Sequence, residues 1–231
     1  SLSGVAKEQG VNVVLNMFFG PAVNAARGIA YQVLSKLNGF VSNFQMAMNP
    51  QIIKNYAVGE REAMYKLVFR GAKLSYLLLL MLSLPVVIEA PLILGVWLKE
   101  VPDYTVIFLR LAIFTALLNT LSNPLIVSMH ASGKVRDYQI VVGTISLLTL
   151  PIVYAAFKYG AEPYYAMIIT FAIEFICHIA RLYMLVRSIE FPMLKYLRNV
   201  TLMVFIITLL SLIFPLMAYS FIGNEVIRIV S

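Results

Sequence analysis

The chain is poor in the residues that catalysis, disulfide bonds and water-soluble surfaces require. Its 231 residues include one cysteine and two histidines, and only 13% of them are charged. The single cysteine, Cys177, cannot form a disulfide within the chain or a multi-cysteine metal site. The only aspartates are Asp103 and Asp137, and no Gly-x-Ser-x-Gly, phosphate-loop or His-Glu-x-x-His motif occurs. These absences argue against an enzyme and predict neither a cofactor nor a metal site.

Apolar residues are abundant instead. They make up 61% of the chain, and the mean hydropathy is +0.85. A water-soluble domain of this length would have to expose many of these side chains to water, whereas a bilayer surrounds outward-facing Leu, Ile, Val and Phe with hydrocarbon. The composition therefore predicts an integral membrane protein.

The apolar residues fall into runs separated by short polar joints. A spanning helix needs about 20 mainly apolar residues, and short joints favour antiparallel neighbours. The run "VNVVLNMFF" at 11–19 is too short to cross alone and is interpreted as the end of a truncated first helix. Residues 1–231 are thus predicted to form a single all-α, polytopic transmembrane bundle. Six full spans are predicted at residues 21–48, 72–98, 104–130, 138–159, 163–187 and 199–222.

Lysine and arginine are distributed unequally between the two ends of these spans. Three lie at one end, namely Lys99, Lys158 and Arg228. The other end is predicted to be cytoplasmic by the positive-inside rule. That distribution accounts for the net charge of +7 without a nucleic-acid partner. Lys7 would join the basic end, which comprises Lys54, Arg61, Lys66, Arg70, Lys73, Lys134, Arg136, Arg181, Arg187, Lys195 and Arg198.

Five prolines lie well inside the predicted spans. Proline bends or breaks a helix because it lacks the N–H group and clashes with the preceding turn. Bent helices are common in transporters that alternate between two states, although simple packing explains any one proline equally well. The prolines are Pro85, Pro91, Pro124, Pro151 and Pro215.

The first full span carries a polar stripe. At about 100° per residue, nine small or polar residues share an arc of roughly 100°. Hydrogen bonding between helices and a water-filled cavity both explain such a stripe. Arg27 and Lys36 favour the cavity, because a cation near the bilayer centre costs on the order of 3 kcal/mol or more unless hydrated or paired. The stripe comprises Asn24, Arg27, Gly28, Tyr31, Ser35, Asn38, Ser42, Gln45 and Asn49, and Gln32, Lys36 and Asn43 lie beside it.

Few other ionisable residues lie within the spans. The other ionisable candidates for a function within the spans are Glu89, Arg110, Glu174 and His178. Glu174 and His178 are one helical turn apart, a spacing that suits a proton-linked pair for ion coupling or a hydrogen bond that locks the helix. Two residues without a third ligand do not define a metal site.

Three segments carry a family resemblance. "QGVNVVLNMFFGPAVNAARGIAYQV", "FQMAMNPQIIKNYAVGE" and "LPVVIEAPLILGVWLKEVPDYT" resemble the second half of O-antigen-type flippases for bacterial polysaccharide biosynthesis. These proteins belong to the multidrug, oligosaccharidyl-lipid and polysaccharide transporter superfamily. The resemblance continues through "ASGKVRDYQIVVG" and "LPIVYAAFKYGAEP".

The resemblance implies one lobe of a MATE-like flippase in the bacterial cytoplasmic (inner) membrane, completed by a missing N-terminal lobe. Its implied substrate is an undecaprenyl-diphosphate-linked oligosaccharide, moved by alternating access through a cationic cavity. Arginine and lysine suit the diphosphate, while amides and hydroxyls suit the sugar. The implied substrate-binding residues are Arg27, Lys36, Asn24, Tyr31, Ser35, Asn38 and Arg110.

Two alternatives remain open on the sequence. A multidrug antiporter of the same superfamily would use buried carboxylates, and the spans offer Glu89 and Glu174 against three basic residues. The chain could also be a non-transporting membrane subunit of a glycan-assembly complex.

Overall fold

The structure is a computed structural model that describes residues 2–213, and this part of the chain is helical without any strand. Six of its helical stretches are long and apolar enough to cross a membrane, which confirms the predicted polytopic helical bundle. The end of the sixth predicted span, with Pro215, and Arg228 lie outside the described residues. The helices are α1 (Leu2–Ala57), α2 (Arg61–Ile88), α3 (Ala90–Trp97), α4 (Thr105–Ala131), α5 (Val135–Leu147), α6 (Thr149–Lys158), α7 (Tyr165–Ile189) and α8 (Met193–Tyr196), followed by a π-helical turn at Leu197–Thr201 and helix to residue 213.

Helix α1 is divided at Gly20, whose φ of 80° and ψ of 179° are not helical. Arg27 hydrogen-bonds to Asn12, although a straight helix would separate these residues by about 22 Å. The chain therefore folds back at Gly20 and forms two arms, residues 2–19 and residues 21–57. Pro21 begins the second arm at a position where its missing N–H has no helical partner to lose.

The run at 11–19 belongs to a longer helical arm. This arm includes every described residue from Leu2 onward, and 18 residues reach about 27 Å, close to the thickness of the hydrocarbon core. Whether this helix is truncated stays a prediction. In the structure, Lys7 and Glu8 border a cavity within the bundle.

The second predicted span begins earlier than expected and is broken near its end. Helix α2 starts at Arg61, whereas the hydropathy criterion placed the start of this span at residue 72. The helix can extend to Arg61 because Met64 and Val68 are buried and pack inward while their charged neighbours face outward. The break lies at Glu89, between α2 and α3. Spans three to five agree with the predicted bounds to within three residues.

Two prolines free backbone carbonyls that side chains from other helices then satisfy. Pro91 cannot donate to the Val87 carbonyl, which instead accepts a hydrogen bond from Arg110 Nε at 2.9 Å. Pro124 likewise leaves the Thr120 carbonyl free, and Gln45 Nε2 donates to it at 3.1 Å. Such partners are needed because lipid offers no hydrogen bonds to an exposed backbone.

Helix α4 lies at the centre of the bundle. Some 61% of its apolar stretch is buried, against 44% or less for the other five candidate spans. It packs against both α2 and α7 and against α1. One apolar cluster joins α1, α2, α4 and α7 toward the basic end, and a second joins α1, α2, α3 and α4 toward the opposite end. This packing fixes the positions of the helices that line the cavity described below.

Replacing Gly20 by Ala should destabilise the protein by about 1–3 kcal/mol, because a residue with a Cβ is strained at this φ and ψ. Gly28→Ala is the matched control, since Gly28 is helical and nothing lies within 4 Å of an added Cβ. Thermal unfolding in one detergent measures both variants. Equal midpoints for the two variants would contradict the strained turn at Gly20.

Candidate functional site

A cavity of about 830 Å³ opens between the two arms of α1, α4 and α7. Six residues of the predicted polar stripe line it, so the stripe faces an open space within the bundle. The wall also includes Lys7, Glu8, Thr115, Asn119, Asn123, Thr170 and Glu174 from the other helices. The stripe residues in the wall are Arg27, Tyr31, Ser35, Asn38, Ser42 and Gln45.

Arg27 is the most deeply buried cation in this wall, with 5% of its surface exposed. Its Nη1 donates to Asn12 Oδ1, and its guanidinium carbon lies 4.6 Å from the centre of the Tyr31 ring. The Nε atom is buried without a hydrogen-bond partner. Among residues 2–213, no carboxylate oxygen lies within ion-pairing distance of Arg27. Arg27 therefore borders the cavity with one buried, unpaired N–H group and without a counter-ion among the described residues.

Two other predicted binding residues lie away from the cavity. Lys36 is exposed on the outer side of the second arm, as are Gln32 and Asn43. Asn24 is half-buried outside the cavity wall, and its Oδ1 has no hydrogen-bond partner within the described chain. The structure therefore brings Arg27 together with Tyr31, and separates it from Lys36 and Asn24.

Helix α4 supplies a polar wall that the sequence reasoning missed. Thr115, Asn119 and Asn123 border the cavity at intervals of four residues. Asn123 Nδ2 donates to Gln45 Oε1 at 2.9 Å, which links this wall to the second arm of α1. The interval of four residues was a readable signal, because such residues share one face of a helix.

A buried ion cluster borders the same cavity. The Glu174 carboxylate pairs with Lys7 through Oε1 and lies 3.5 Å from Arg181 Nη2 through Oε2. The sequence count placed Arg181 and Lys7 with the cytoplasmic charges, and that orientation stays a prediction. Arg181 is 8% exposed inside α7, and Lys7 lies on the first arm of α1.

Ser122 connects this cluster to His178. Arg181 Nη1 donates to Ser122 Oγ at 3.2 Å, and His178 Nδ1 lies 2.7 Å from the same oxygen. A hydroxyl that accepts from arginine can donate its own proton to the imidazole. Glu174 and His178 thus have separate partners in the structure and are not hydrogen-bonded to each other. A role for either residue in ion coupling stays a prediction.

The wall is formally balanced in charge. Lys7 and Arg27 are matched in number by Glu8 and Glu174. Their surroundings differ, however, because Glu8 is exposed at the rim and Glu174 is already shared between Lys7 and Arg181. Positive charge is therefore concentrated at Arg27, where the wall lacks a carboxylate partner.

Arg110 belongs to a different part of the molecule. It donates to the carbonyls of Val87 and Ile88, and it lines a smaller cavity of about 350 Å³ between Tyr104 and Tyr164. This second cavity lies at the end of the bundle opposite the basic joints. The Arg110 guanidinium stabilises the break between α2 and α3, and Arg110 does not line the large cavity.

Tyr104, in the joint before α4, also contributes to this smaller cavity. Its hydroxyl donates to Glu162 Oε2 at 2.9 Å. This hydrogen bond to a carboxylate raises the pKa of Tyr104. Tyr104 also adopts a φ of 67°, an uncommon conformation for a residue with a Cβ.

No protein-family model, curated protein or solved structure shows a significant match to this chain. The family resemblance drawn from the sequence therefore stays a prediction. The function has to be argued from the residues of the site, because a helical bundle can support many activities.

Replacing Ser122 by Ala should destabilise the protein by about 1–3 kcal/mol, because Arg181 and His178 would each lose a buried partner. Ser75→Ala is the control, since Ser75 is fully buried and its Oγ has no partner within the described residues. That control should unfold at the same temperature as the unmodified chain or higher. A loss that is no larger for Ser122→Ala than for Ser75→Ala would contradict the described network.

Proposed function

We propose that this chain is one lobe of a transporter in the bacterial cytoplasmic membrane. Its substrate is an undecaprenyl-diphosphate-linked oligosaccharide, which it moves from the inner to the outer leaflet for surface polysaccharide synthesis. The observation that carries this proposal is the buried Arg27 guanidinium, which borders the cavity without a carboxylate partner among residues 2–213.

The state of Arg27 favours an anionic substrate. An arginine buried at membrane depth is costly unless it is hydrated or paired, and such residues usually mark a substrate or ion pathway. A phosphate group would supply the negative charge that the guanidinium lacks, and arginine forms short, charge-assisted hydrogen bonds with phosphate. Asn12 already holds one side of the guanidinium, so little side-chain entropy is lost on binding.

The remaining wall suits a hydroxyl-rich headgroup. Tyr31, Ser35, Asn38, Asn119 and Asn123 provide hydroxyl and amide groups around the cavity. Amides and hydroxyls can both donate and accept hydrogen bonds, as sugar hydroxyl groups do. A polyprenyl chain would stay in the surrounding bilayer, whose hydrocarbon core already suits it.

The outer side of the second arm supports the presence of a further protein body. Gln32, Lys36 and Asn43 are exposed in the part of the helix that would lie within the membrane. Polar and charged residues at that depth almost always face other protein or water, and rarely lipid. The proposed second lobe would cover this face and close the cavity, so that Lys36 acts there and not beside Arg27.

A cation antiporter is the second candidate, and Glu8 is the observation that favours it. This carboxylate borders the cavity, is exposed and has no described ion pair. An organic cation would need such a free carboxylate. Glu174 cannot serve without rearrangement, because Lys7 and Arg181 already neutralise it. The buried part of the wall at Arg27 therefore favours an anionic ligand, and a cationic ligand is favoured only at the rim beside Glu8.

Replacing Arg27 by Gln should weaken binding of a labelled undecaprenyl-diphosphate oligosaccharide by at least about tenfold, the effect of losing one charge-assisted hydrogen bond. Binding would be measured to the full chain in lipid nanodiscs. Arg70→Gln is the matched control, since Arg70 is exposed near the basic end of α2 and should leave binding unchanged. Arg27→Lys should recover part of the affinity, because lysine keeps the charge but lacks the planar donor array.

The same experiment separates the two candidate functions. Tetraphenylphosphonium, an organic cation, would be titrated in parallel with the lipid-linked oligosaccharide. Binding of the cation alone, weakened by Glu8→Gln and insensitive to Arg27→Gln, would reject the flippase proposal in favour of the antiporter.

A further inference from the structure

We propose that Lys7, Glu174 and Arg181 form a second anion subsite of the cavity, in which Glu174 is a resident counter-anion that an incoming phosphate displaces. This inference deepens the proposed function and rests on it only in taking the ligand to be a phosphate-bearing anion. It assigns Lys7 to substrate binding, makes Arg181 the cation that retains Glu174 during the exchange, and gives Glu174 a role other than ion coupling.

The first step concerns position. Lys7 and Glu174 both line the cavity that contains Arg27. Lys7 lies five residues before Asn12, the partner of Arg27, and is about 7.5 Å from it along the axis of the same arm. Both cations thus belong to the wall of one cavity, so a single ligand bound there has two cations in its surroundings.

The second step concerns charge. Three cations, Lys7, Arg27 and Arg181, lie in or beside the cavity, and the one buried carboxylate among the described residues, Glu174, is paired with Lys7 and Arg181. Glu8, the other carboxylate of the wall, is exposed at the rim and makes no described ion pair. The buried set therefore carries an excess of two positive charges. A diphosphate diester with two negative charges would neutralise that excess.

The third step concerns exchange. The Glu174 carboxylate is divided between two cations, with one oxygen on Lys7 and the other 3.5 Å from Arg181. Arg181 is also held by Tyr138 and Ser122 through Nε and Nη1. Glu174 can therefore leave Lys7 and stay paired with Arg181, so the exchange leaves no buried charge without a partner. The phosphate then occupies the donor positions of Lys7.

Lys7 is suited to such an exchange. Its side chain is 15% exposed, more than that of either partner, and it lies on an arm joined to the rest of α1 through the single turn at Gly20. An ammonium group has three donors that rotate freely, so it can change partners without a fixed geometry.

The test uses inorganic pyrophosphate as the probe and titrates it into the full chain in nanodiscs by calorimetry. Glu174→Gln removes the resident anion and should tighten pyrophosphate binding by at least about tenfold. Glu100→Gln is the matched control because it removes the same charge from an exposed position outside the cavity wall, where screening weakens its effect. It should change the affinity by less than about threefold. In the double variant Lys7→Met/Glu174→Gln the gain should disappear, because the freed cation is absent.

The proposal is overturned if a folded Glu174→Gln chain binds pyrophosphate no more tightly than the unmodified chain, or if Glu100→Gln gives the same gain. Glu174→Gln could fail to fold, because it leaves two cations uncompensated. Lys7→Met is then the deciding variant: a loss of about tenfold in pyrophosphate affinity supports the subsite, and an unchanged affinity in a folded chain rejects it.

The outcomes also separate this proposal from the proposed function. If pyrophosphate binding responds as predicted but the lipid-linked oligosaccharide does not bind, the subsite stands and the flippase proposal fails. If oligosaccharide binding depends on Arg27 while Glu174→Gln leaves pyrophosphate affinity unchanged, the flippase proposal stands and the subsite is rejected.

Discussion

The structure depends above all on one requirement: within an apolar bundle, every free carbonyl and every charge needs a partner from the protein itself. The prolines and helix breaks of this chain create free carbonyls, and side chains from distant segments satisfy them. Arg110 donates to the Val87 carbonyl at the break between α2 and α3, and Gln45 donates to the Thr120 carbonyl, which lies four residues before Pro124. Tyr65 does the same at the end of α7, where its hydroxyl donates to the Ile189 carbonyl at 2.6 Å. These bonds hold bent helices together.

The same requirement distinguishes structural polar groups from those that remain available for binding. Arg110 and Arg181 have their donors occupied by carbonyls, hydroxyls or a carboxylate. Arg27 differs because a buried Nε remains without a partner beside an open cavity. Lys7 is intermediate, since its partner Glu174 is shared with a second cation. The number of a cation's donors that already have partners is therefore a better guide to ligand binding than the position of that cation within a predicted span.

Patterns along the chain predicted much of the fold. Hydropathy located the spans, and the polar stripe on the second arm of α1 does border a cavity. Hydropathy misplaced the start of α2, because charged residues on one face conceal a buried opposite face that includes Met64 and Val68. It also missed the first half of the opening arm, where Lys7 and Glu8 face the cavity and not a surface joint. A window average cannot separate the faces of an amphipathic helix.

The sequence by itself determined the helical membrane architecture and one wall of the site, because both follow from local periodicity. Tertiary structure alone decided which charges meet. Lys7 and Glu174 are separated by 167 positions along the chain, and Arg27 and Asn12 approach only because the chain reverses at Gly20. Pairing of this kind depends on how helices pack across the bundle, and no local pattern records it. For that reason Arg181 looked like a cytoplasmic surface charge, and Lys36 looked like a neighbour of Arg27.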